Sequence, residues 1–96
     1  MRLTSKEVIA IRSAVLASDP AANIYLFGSR ASDQRRGGDI DLLIESKIIG
    51  LRQKLDILVA IKSEIGEQKI DLLVSKDLTS DTDPFVRSIA REMIKL

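Results

Sequence analysis

The sequence predicts an α+β fold in which helices and strands alternate in the order α-β-α-β-α-β-α. Three short apolar runs have the length of strands, at 24–27, 39–44 and 69–74. A stretch near 49–65 instead repeats its apolar residues at helical spacing, and Gly or Pro residues separate the segments. With 96 residues the chain can form one small core, so we expect a single domain over 1–96.

The first helix is predicted to begin at a capping box, in which Thr4 and Glu7 form the pattern T-x-x-E. Ile11 and Val15 lie on its apolar face. Pro20 ends the helix, because proline lacks the amide that a helix interior needs. After the first strand, the segment G-S-R-A-S-D-Q is predicted to start a short helix, and R-R-G-G to form a turn.

The longer helix is predicted over 49–65, with Gly66 as its C-terminal cap. Its core-facing stripe is predicted from steps of three and four residues: Leu51, Leu55, Leu58, Ile61 and Ile65. The last helix is predicted to begin with Asp83 as N-cap and Pro84 as first residue. The residues expected on its apolar side are Phe85, Val86, Ile89, Ala90 and Met93.

Composition restricts the chemistry that this chain can perform. The sequence contains no cysteine and no histidine, which excludes disulfides, zinc–thiolate sites, a cysteine nucleophile and a histidine base. The net charge of +1 gives little reason to expect stable binding of nucleic acid. No apolar run approaches the roughly 20 residues of a membrane span and no signal-peptide pattern is seen, so we expect a cytoplasmic protein without membrane contact.

Two aspartates stand inside an apolar strand, where an unpaired carboxylate is costly. Side chains alternate along a strand, so Asp39 and Asp41 share a face, with Cβ atoms about 6–7 Å apart. Asp71 occupies the same I-D-L-L context in another strand, and the three carboxylates would converge if the two strands are neighbours. Mg²⁺ or Mn²⁺, which prefer oxygen ligands, would relieve their repulsion.

A structural explanation of these aspartates remains open. Asp39 follows two glycines and suits a turn, and Asp71 could be an edge residue close to Lys69. Asp41 lies within the apolar run, where a purely structural role is harder to explain.

Gly28 and Ser29 end the first strand and lead into a predicted helix, an arrangement that suits an anion. Glycine lets the backbone approach a phosphate, and free amides and the serine hydroxyl supply donors. An ordinary helix N-cap is the alternative, and the chain has no Walker pattern G-x-x-x-x-G-K-S/T. A phosphate site so close to metal-binding carboxylates predicts a bound nucleoside triphosphate.

These residues resemble the signature of the DNA-polymerase-β-type nucleotidyltransferase superfamily: G-S, a spacer, D-x-D between apolar residues, and a third Asp on a later strand. The chain matches it with Gly28, Ser29, Asp39, Asp41 and Asp71, and its nine-residue spacer is slightly short. The short chain is similar to the minimal nucleotidyltransferases (MNT). The stretches F-G-S-R-A, G-G-D-I-D-L-L-I-E and D-P-F-V-R-S-I-A-R-E-M-I-K-L are similar to antitoxin members paired with HEPN toxins.

The resemblance implies the nucleotidyltransferase fold, a small mixed sheet flanked by helices, over nearly the whole chain. It implies that Gly28 and Ser29 contact the β- and γ-phosphates of ATP. Asp39 and Asp41 would bind Mg²⁺ or Mn²⁺, and Asp71 would bind the catalytic metal and help to activate the acceptor hydroxyl.

Three arginines are further candidates for contacts with phosphate or a partner. Arg30 directly follows the G-S pair and is taken as a nucleotide-binding residue. For Arg35 and Arg36, solvated loop charges are the preferred explanation.

The resulting hypothesis is an antitoxin enzyme that transfers AMP from ATP to a hydroxyl, by resemblance a tyrosine of a HEPN toxin. One alternative is a non-catalytic antitoxin that inhibits a HEPN ribonuclease by binding it. The other is a solo nucleotidyltransferase that acts on a small molecule or RNA with the help of a partner subunit.

Overall fold

The computed structural model describes residues 1–31 and 38–96. The elements along the chain are α1 Ser5–Ser18, β1 Asn23–Phe27, a short 3₁₀ helix Gly28–Ala31, β2 Ile40–Glu45, α2 Leu51–Ile65, β3 Ile70–Ser75, α3 Pro84–Ile89 and β4 Ile94–Lys95. The three predicted strands therefore lie within one residue of their expected positions, and the short helix follows β1 as expected.

The strands form a mixed sheet in the order β3-β2-β1-β4. β1 pairs antiparallel with both β2 and β4, whereas β2 and β3 pair in parallel through the α2 crossover. Helices cover the sheet, so the predicted α+β class with a small mixed sheet flanked by helices is confirmed.

The main core lies between one face of the sheet and helices α1 and α2. Its fully buried members are Ile11 and Val15 of α1, Ile24 and Leu26 of β1, Ile40, Leu42 and Ile44 of β2, and Ile57 and Ile61 of α2. α3 covers part of the opposite face, where Val86 and Ile89 pack around Leu43. None of the helices in the described part of the chain has the length and apolar character needed to cross a membrane.

The capping box at the start of α1 is confirmed. The Thr4 hydroxyl accepts a hydrogen bond from the Glu7 amide at 3.1 Å, and the Thr4 amide donates to Glu7 Oε1 at 2.8 Å. The helix ends at Ser18, and Asp19 and Pro20 lead the chain towards β1. This end leaves Ile11 and Val15 fully buried against the sheet, as their spacing predicts.

The predicted apolar stripe of α2 is wrong in its N-terminal half. Leu51 and Leu55 are 73% and 56% exposed, and the fully buried residues are Ile57 and Ile61. Leu58 and Ile65 do pack against the core. Steps of three and four residues can be drawn through several faces of a helix this rich in Leu, Ile and Val, and the contact with α1 decides which face is buried.

The predicted length of the last helix is also wrong, because α3 ends at Ile89. Ala90 is only its C-cap, and Met93 lies beyond it and packs against the smaller cluster. The chain then returns as β4, which pairs with β1 and extends with a hydrogen bond from the Leu96 amide to the Ile24 carbonyl at 2.9 Å. Without β4, β1 would expose unpaired backbone amides and carbonyls at this edge of the sheet. A two-residue strand carries no periodic pattern that a sequence could reveal.

The observed orientation of α2 predicts which side chains stabilise the fold. Ile61→Ala should lower the free energy of unfolding by about 2–5 kcal/mol, because it leaves a cavity in the core. Leu51→Ala, a matched deletion on the same helix, should change it by less than about 0.5 kcal/mol. Urea denaturation of both variants measures this, and equal destabilisation would contradict the observed orientation.

Candidate active site

The predicted catalytic carboxylates lie on the sheet face that α3 partly covers. Asp41 pairs with Phe27 across the antiparallel β1–β2 ladder and with Asp71 across the parallel β2–β3 ladder. Residues paired in this way have side chains on the same face. Phe27, Asp41 and Asp71 therefore form one row across three strands, which we call the carboxylate row.

Two further rows follow on the same face. The apolar row contains Tyr25, Leu43 and Leu73, which belong to the cluster beneath α3. The far polar row, at the other end of the strands, contains Asn23, Glu45 and Ser75. α3 thus covers the middle of this face and leaves the carboxylate row at one end of it.

Asp41 and Asp71 lie side by side on paired strands, and their carboxyl groups interact. Partial burial raises the pKa of Asp41, and the hydrogen bond to Asp71 and the negative charges of Asp71 and Asp39 raise it further, while Lys69 opposes the rise. Carboxylates held this close repel each other, and a cation placed there would relieve the repulsion.

Asp39 stands beside this pair without joining it. Its carboxylate forms an ion pair with Lys69, with 3.4 Å between Oδ2 and Nζ, although its charge still acts on Asp41. In the described segments, 1–31 and 38–96, no three acidic, His or Cys side chains are grouped closely enough to hold a metal ion. The structure therefore brings together two of the three predicted ligands, and metal binding by Asp39, Asp41 and Asp71 stays a prediction.

Gly28 lies directly against Asp41. It has a positive φ of 73°, and a Cβ atom built on it would collide with Asp41 Oδ2. Only glycine allows the backbone to approach the carboxylate so closely. Ser29 follows in the 3₁₀ helix Gly28–Ala31, and the predicted phosphate contacts of both residues stay predictions.

Arg30 is held by groups of the protein itself. Its guanidinium donates to the carbonyl oxygens of Gly38 at 3.3 Å and Arg2 at 3.0 Å, and to Gln68 Oε1 at 3.4 Å. It also lies 3.8 Å from Glu7 Oε2. Arg30 thereby ties the 3₁₀ helix to the residue before Asp39, and its predicted nucleotide contact stays a prediction.

Sequence reasoning missed the neighbours that shape this site. Lys69 pairs with Asp39, and Phe27 stands next to Asp41, yet neither belongs to a motif. Phe27 could have been noticed because it directly precedes Gly28. Arg35 and Arg36 lie outside the described residues.

The donor atoms fit a hard divalent cation. The side-chain donors near Gly28 are carboxylate oxygens, and the chain has no histidine or cysteine to favour a softer metal. Asp41 and Asp71 would hold Mg²⁺ or Mn²⁺, whose charge would offset the repulsion between the two carboxylates.

Asp41→Asn should leave the metal-free fold as stable as the parent or more stable. The folded state raises the pKa of Asp41 from 3.8, so it keeps a proton that the unfolded chain has lost, and the contribution of Asp41 to stability falls as pH rises above that value. The variant should gain up to about 1 kcal/mol at pH 7, with solvent screening reducing the gain, and less at pH 4. Thermal denaturation in EDTA at both pH values measures this.

The control for this variant is Asp56→Asn, an exposed carboxylate on α2, which should not alter the pH dependence. If Asp41 were instead a strand-end aspartate stabilised by backbone hydrogen bonds, Asp41→Asn would destabilise the metal-free fold. Clear destabilisation of metal-free Asp41→Asn, with the full stabilisation by Mg²⁺-ATP retained, would exclude a metal site at Asp41.

Gly28→Ala should destabilise the fold by more than the strain of a positive φ alone. Gly66 is the matched control, since it has φ of 87° but no atom within 4 Å of an added Cβ. Gly66→Ala should cost about 1–3 kcal/mol, and Gly28→Ala more, because its methyl group also meets Asp41. Equal losses in denaturation experiments would disprove the close contact, and partial rescue of Gly28→Ala by Asp41→Ala would support it.

The chain matches the family model described as nucleotidyltransferase domain over residues 8–96. A search of curated proteins found no match. The family match spans the 3₁₀ helix at Gly28 and both strands that carry Asp41 and Asp71, so it includes the whole site described above. The mixed sheet flanked by helices is consistent with this family's fold. The protein belongs to the nucleotidyltransferase domain family, and its general activity is nucleotidyl transfer.

Proposed function

We propose that this protein transfers AMP from ATP to a tyrosine hydroxyl of a HEPN toxin and thereby acts as its antitoxin. The observation that carries the proposal is the Asp41–Asp71 carboxyl pair, in which Asp41 lies against the backbone of Gly28. The family of the chain supports nucleotidyl transfer in general. ATP, the tyrosine and the HEPN partner rest on the resemblance of the sequence to antitoxin-type minimal nucleotidyltransferases.

The proposed reaction assigns a task to each part of the site. The backbone at Gly28 and Ser29 binds the β- and γ-phosphates of ATP. The acceptor oxygen forms a bond to the α-phosphorus, the bond between the α-phosphorus and the bridging oxygen breaks, and pyrophosphate leaves. Asp71 takes the hydroxyl proton and passes it to water, while Asp41 and Asp39 would hold the metal ion and orient the triphosphate.

Mg²⁺ or Mn²⁺ bound by these carboxylates would align the acceptor oxygen with the phosphorus and neutralise the developing charge. Such a reaction requires no histidine base, in keeping with a chain that contains none. Asp41 and Asp71 would supply oxygen ligands, and Asp39, which pairs with Lys69, lies near enough for its charge to act on Asp41.

Inhibition of the toxin would follow from the charge that AMP adds. A phosphodiester on a tyrosine near the RNA-binding surface repels RNA phosphates, and its bulk occupies the same space.

A non-catalytic antitoxin is the second candidate. Binding alone does not explain the Asp41–Asp71 pair, because adjacent carboxylates cost stability unless a cation or proton compensates them. The third candidate is transfer to a small molecule or RNA, for which the site chemistry is the same and only the acceptor differs.

The experiment combines the purified protein, ATP, Mg²⁺ and a HEPN-domain protein encoded beside it. Mass spectrometry should find one added AMP on a tyrosine of the partner, with loss of its ribonuclease activity. Mg²⁺-ATP at about a hundred times its Kd should also stabilise the nucleotidyltransferase by roughly 2.7 kcal/mol. Asp41→Asn should abolish the modification and most of the stabilisation, while Asp56→Asn should change neither.

Three outcomes separate the candidates. An unmodified partner that is fully inhibited would support the binding antitoxin. Incorporation of AMP into RNA or a small molecule, with the HEPN protein unmodified, would support the solo transferase. The absence of any thermal shift with millimolar ATP and either Mg²⁺ or Mn²⁺ would disprove nucleotide binding.

A further inference from the structure

The three aromatic residues of the chain lie on the sheet face that carries the carboxylate row. Tyr25 and Phe27 stand on β1, and both pack in the cluster beneath α3. Phe85, at the start of α3, contacts Phe27 edge-to-face with ring centroids 6.2 Å apart and planes at 81°. Phe85 remains 53% exposed, which is unusual for a ring already fixed by a neighbour.

The orientation of α3 places Phe85 on the side of the carboxylates. Val86 and Ile89 face the sheet, and Arg87 and Ala90 lie on the flank against loop 78–82. That loop is fastened to the far polar row, since Ser75 donates to Asp81 at 2.6 Å and the Leu78 amide donates to Glu45 at 2.8 Å.

Phe85 lies on the opposite flank of α3 and contacts Phe27 instead. Phe27 pairs with Asp41 and directly precedes Gly28. One side chain therefore separates the exposed ring of Phe85 from the place where Asp41 meets the Gly28 backbone. A phosphate bound at Gly28 would have this ring beside it.

We propose that Phe85, supported edge-on by Phe27, is the stacking platform for the base of the nucleotide. The inference rests on the proposed function, because it needs the triphosphate to lie at Gly28 and Asp41. Aromatic rings stack on the faces of nucleobases, and a ring that contacts one neighbour and is otherwise half exposed has surface free for such stacking.

The chemistry of the platform also sets its selectivity. A phenylalanine ring offers a flat apolar face and no hydrogen-bond donor or acceptor, so it cannot distinguish the polar edges of bases. It favours bases with a larger stacking surface. The preferred ligands are therefore purine nucleoside triphosphates over pyrimidine ones, with adenine and guanine bound about equally by this contact.

Comparing ATP with inorganic tripolyphosphate tests the platform, because the two share the phosphate chain and differ in the nucleoside. Isothermal titration calorimetry with Mg²⁺ should show that the parent protein binds ATP more tightly than tripolyphosphate. Phe85→Ala should weaken ATP binding by roughly 5- to 150-fold and leave tripolyphosphate binding unchanged. Phe85→Trp should retain ATP binding, and CTP and UTP should bind the parent protein more weakly than ATP and GTP.

Two control variants separate stacking from folding. Ile9→Ala removes another exposed apolar side chain, 64% exposed on α1, and should change neither affinity. Phe85→Leu keeps apolar packing beneath the ring's position but removes the aromatic face, so it should weaken ATP binding even if Phe85→Ala fails to fold.

The outcomes that overturn the inference are distinct from failure of the proposed function. Equal affinity of the parent protein for ATP and tripolyphosphate would show that no base platform exists. If Phe85→Leu lost affinity for ATP and for tripolyphosphate to the same extent, the role of Phe85 would be structural. If neither ligand binds the parent protein, the proposed function itself fails, and the base platform fails with it.

Discussion

The parallel pairing of β2 with β3 is the interaction on which the site depends. Its register sets Asp41 beside Asp71, two residues separated by thirty positions in the sequence. The register is fixed from the other face of the sheet, where Ile40, Leu42 and Ile44 are completely buried. A slip by one residue would turn this apolar set towards solvent and the aspartates into the core. Hydrophobic packing on one face therefore positions the carboxylates on the other.

The two polar ends of the α3 face show how compensated and uncompensated carboxylates differ. At the far polar row, Glu45 accepts hydrogen bonds from Asn23 at 2.9 Å and from the Leu78 amide at 2.8 Å, so its charge is compensated within the fold. At the carboxylate row, Asp41 faces Asp71 and the negative charge of Asp39, and its pKa is raised by burial and by these neighbours. Only the second arrangement gains from an added cation, which is why we place the reaction there.

Arg30 connects this site to the stability of the whole domain. Its guanidinium joins the N-terminal segment at Arg2, the start of α1 at Glu7, the loop before β3 at Gln68 and the entry to β2 at Gly38. The 3₁₀ helix that carries Gly28 is thus connected to four other segments of the chain. A site built from strand ends and a short helix needs such a connection, because few residues in it are held by packing alone.

The sequence by itself determined the local features of this protein: three strands, the capped start of α1, and a G-S pair near two aspartates with alternating side chains. These follow from neighbouring residues, whose propensities and periods act over a few positions. Tertiary structure decided the rest. The packing of α2 against α1 leaves Leu51 exposed to solvent, and β4 pairs with the otherwise open edge of β1. Likewise Lys69 pairs with Asp39, and Phe85 packs against Phe27, the cross-strand neighbour of Asp41. Each of these contacts joins residues that are distant in the sequence, so a local sequence pattern cannot predict it.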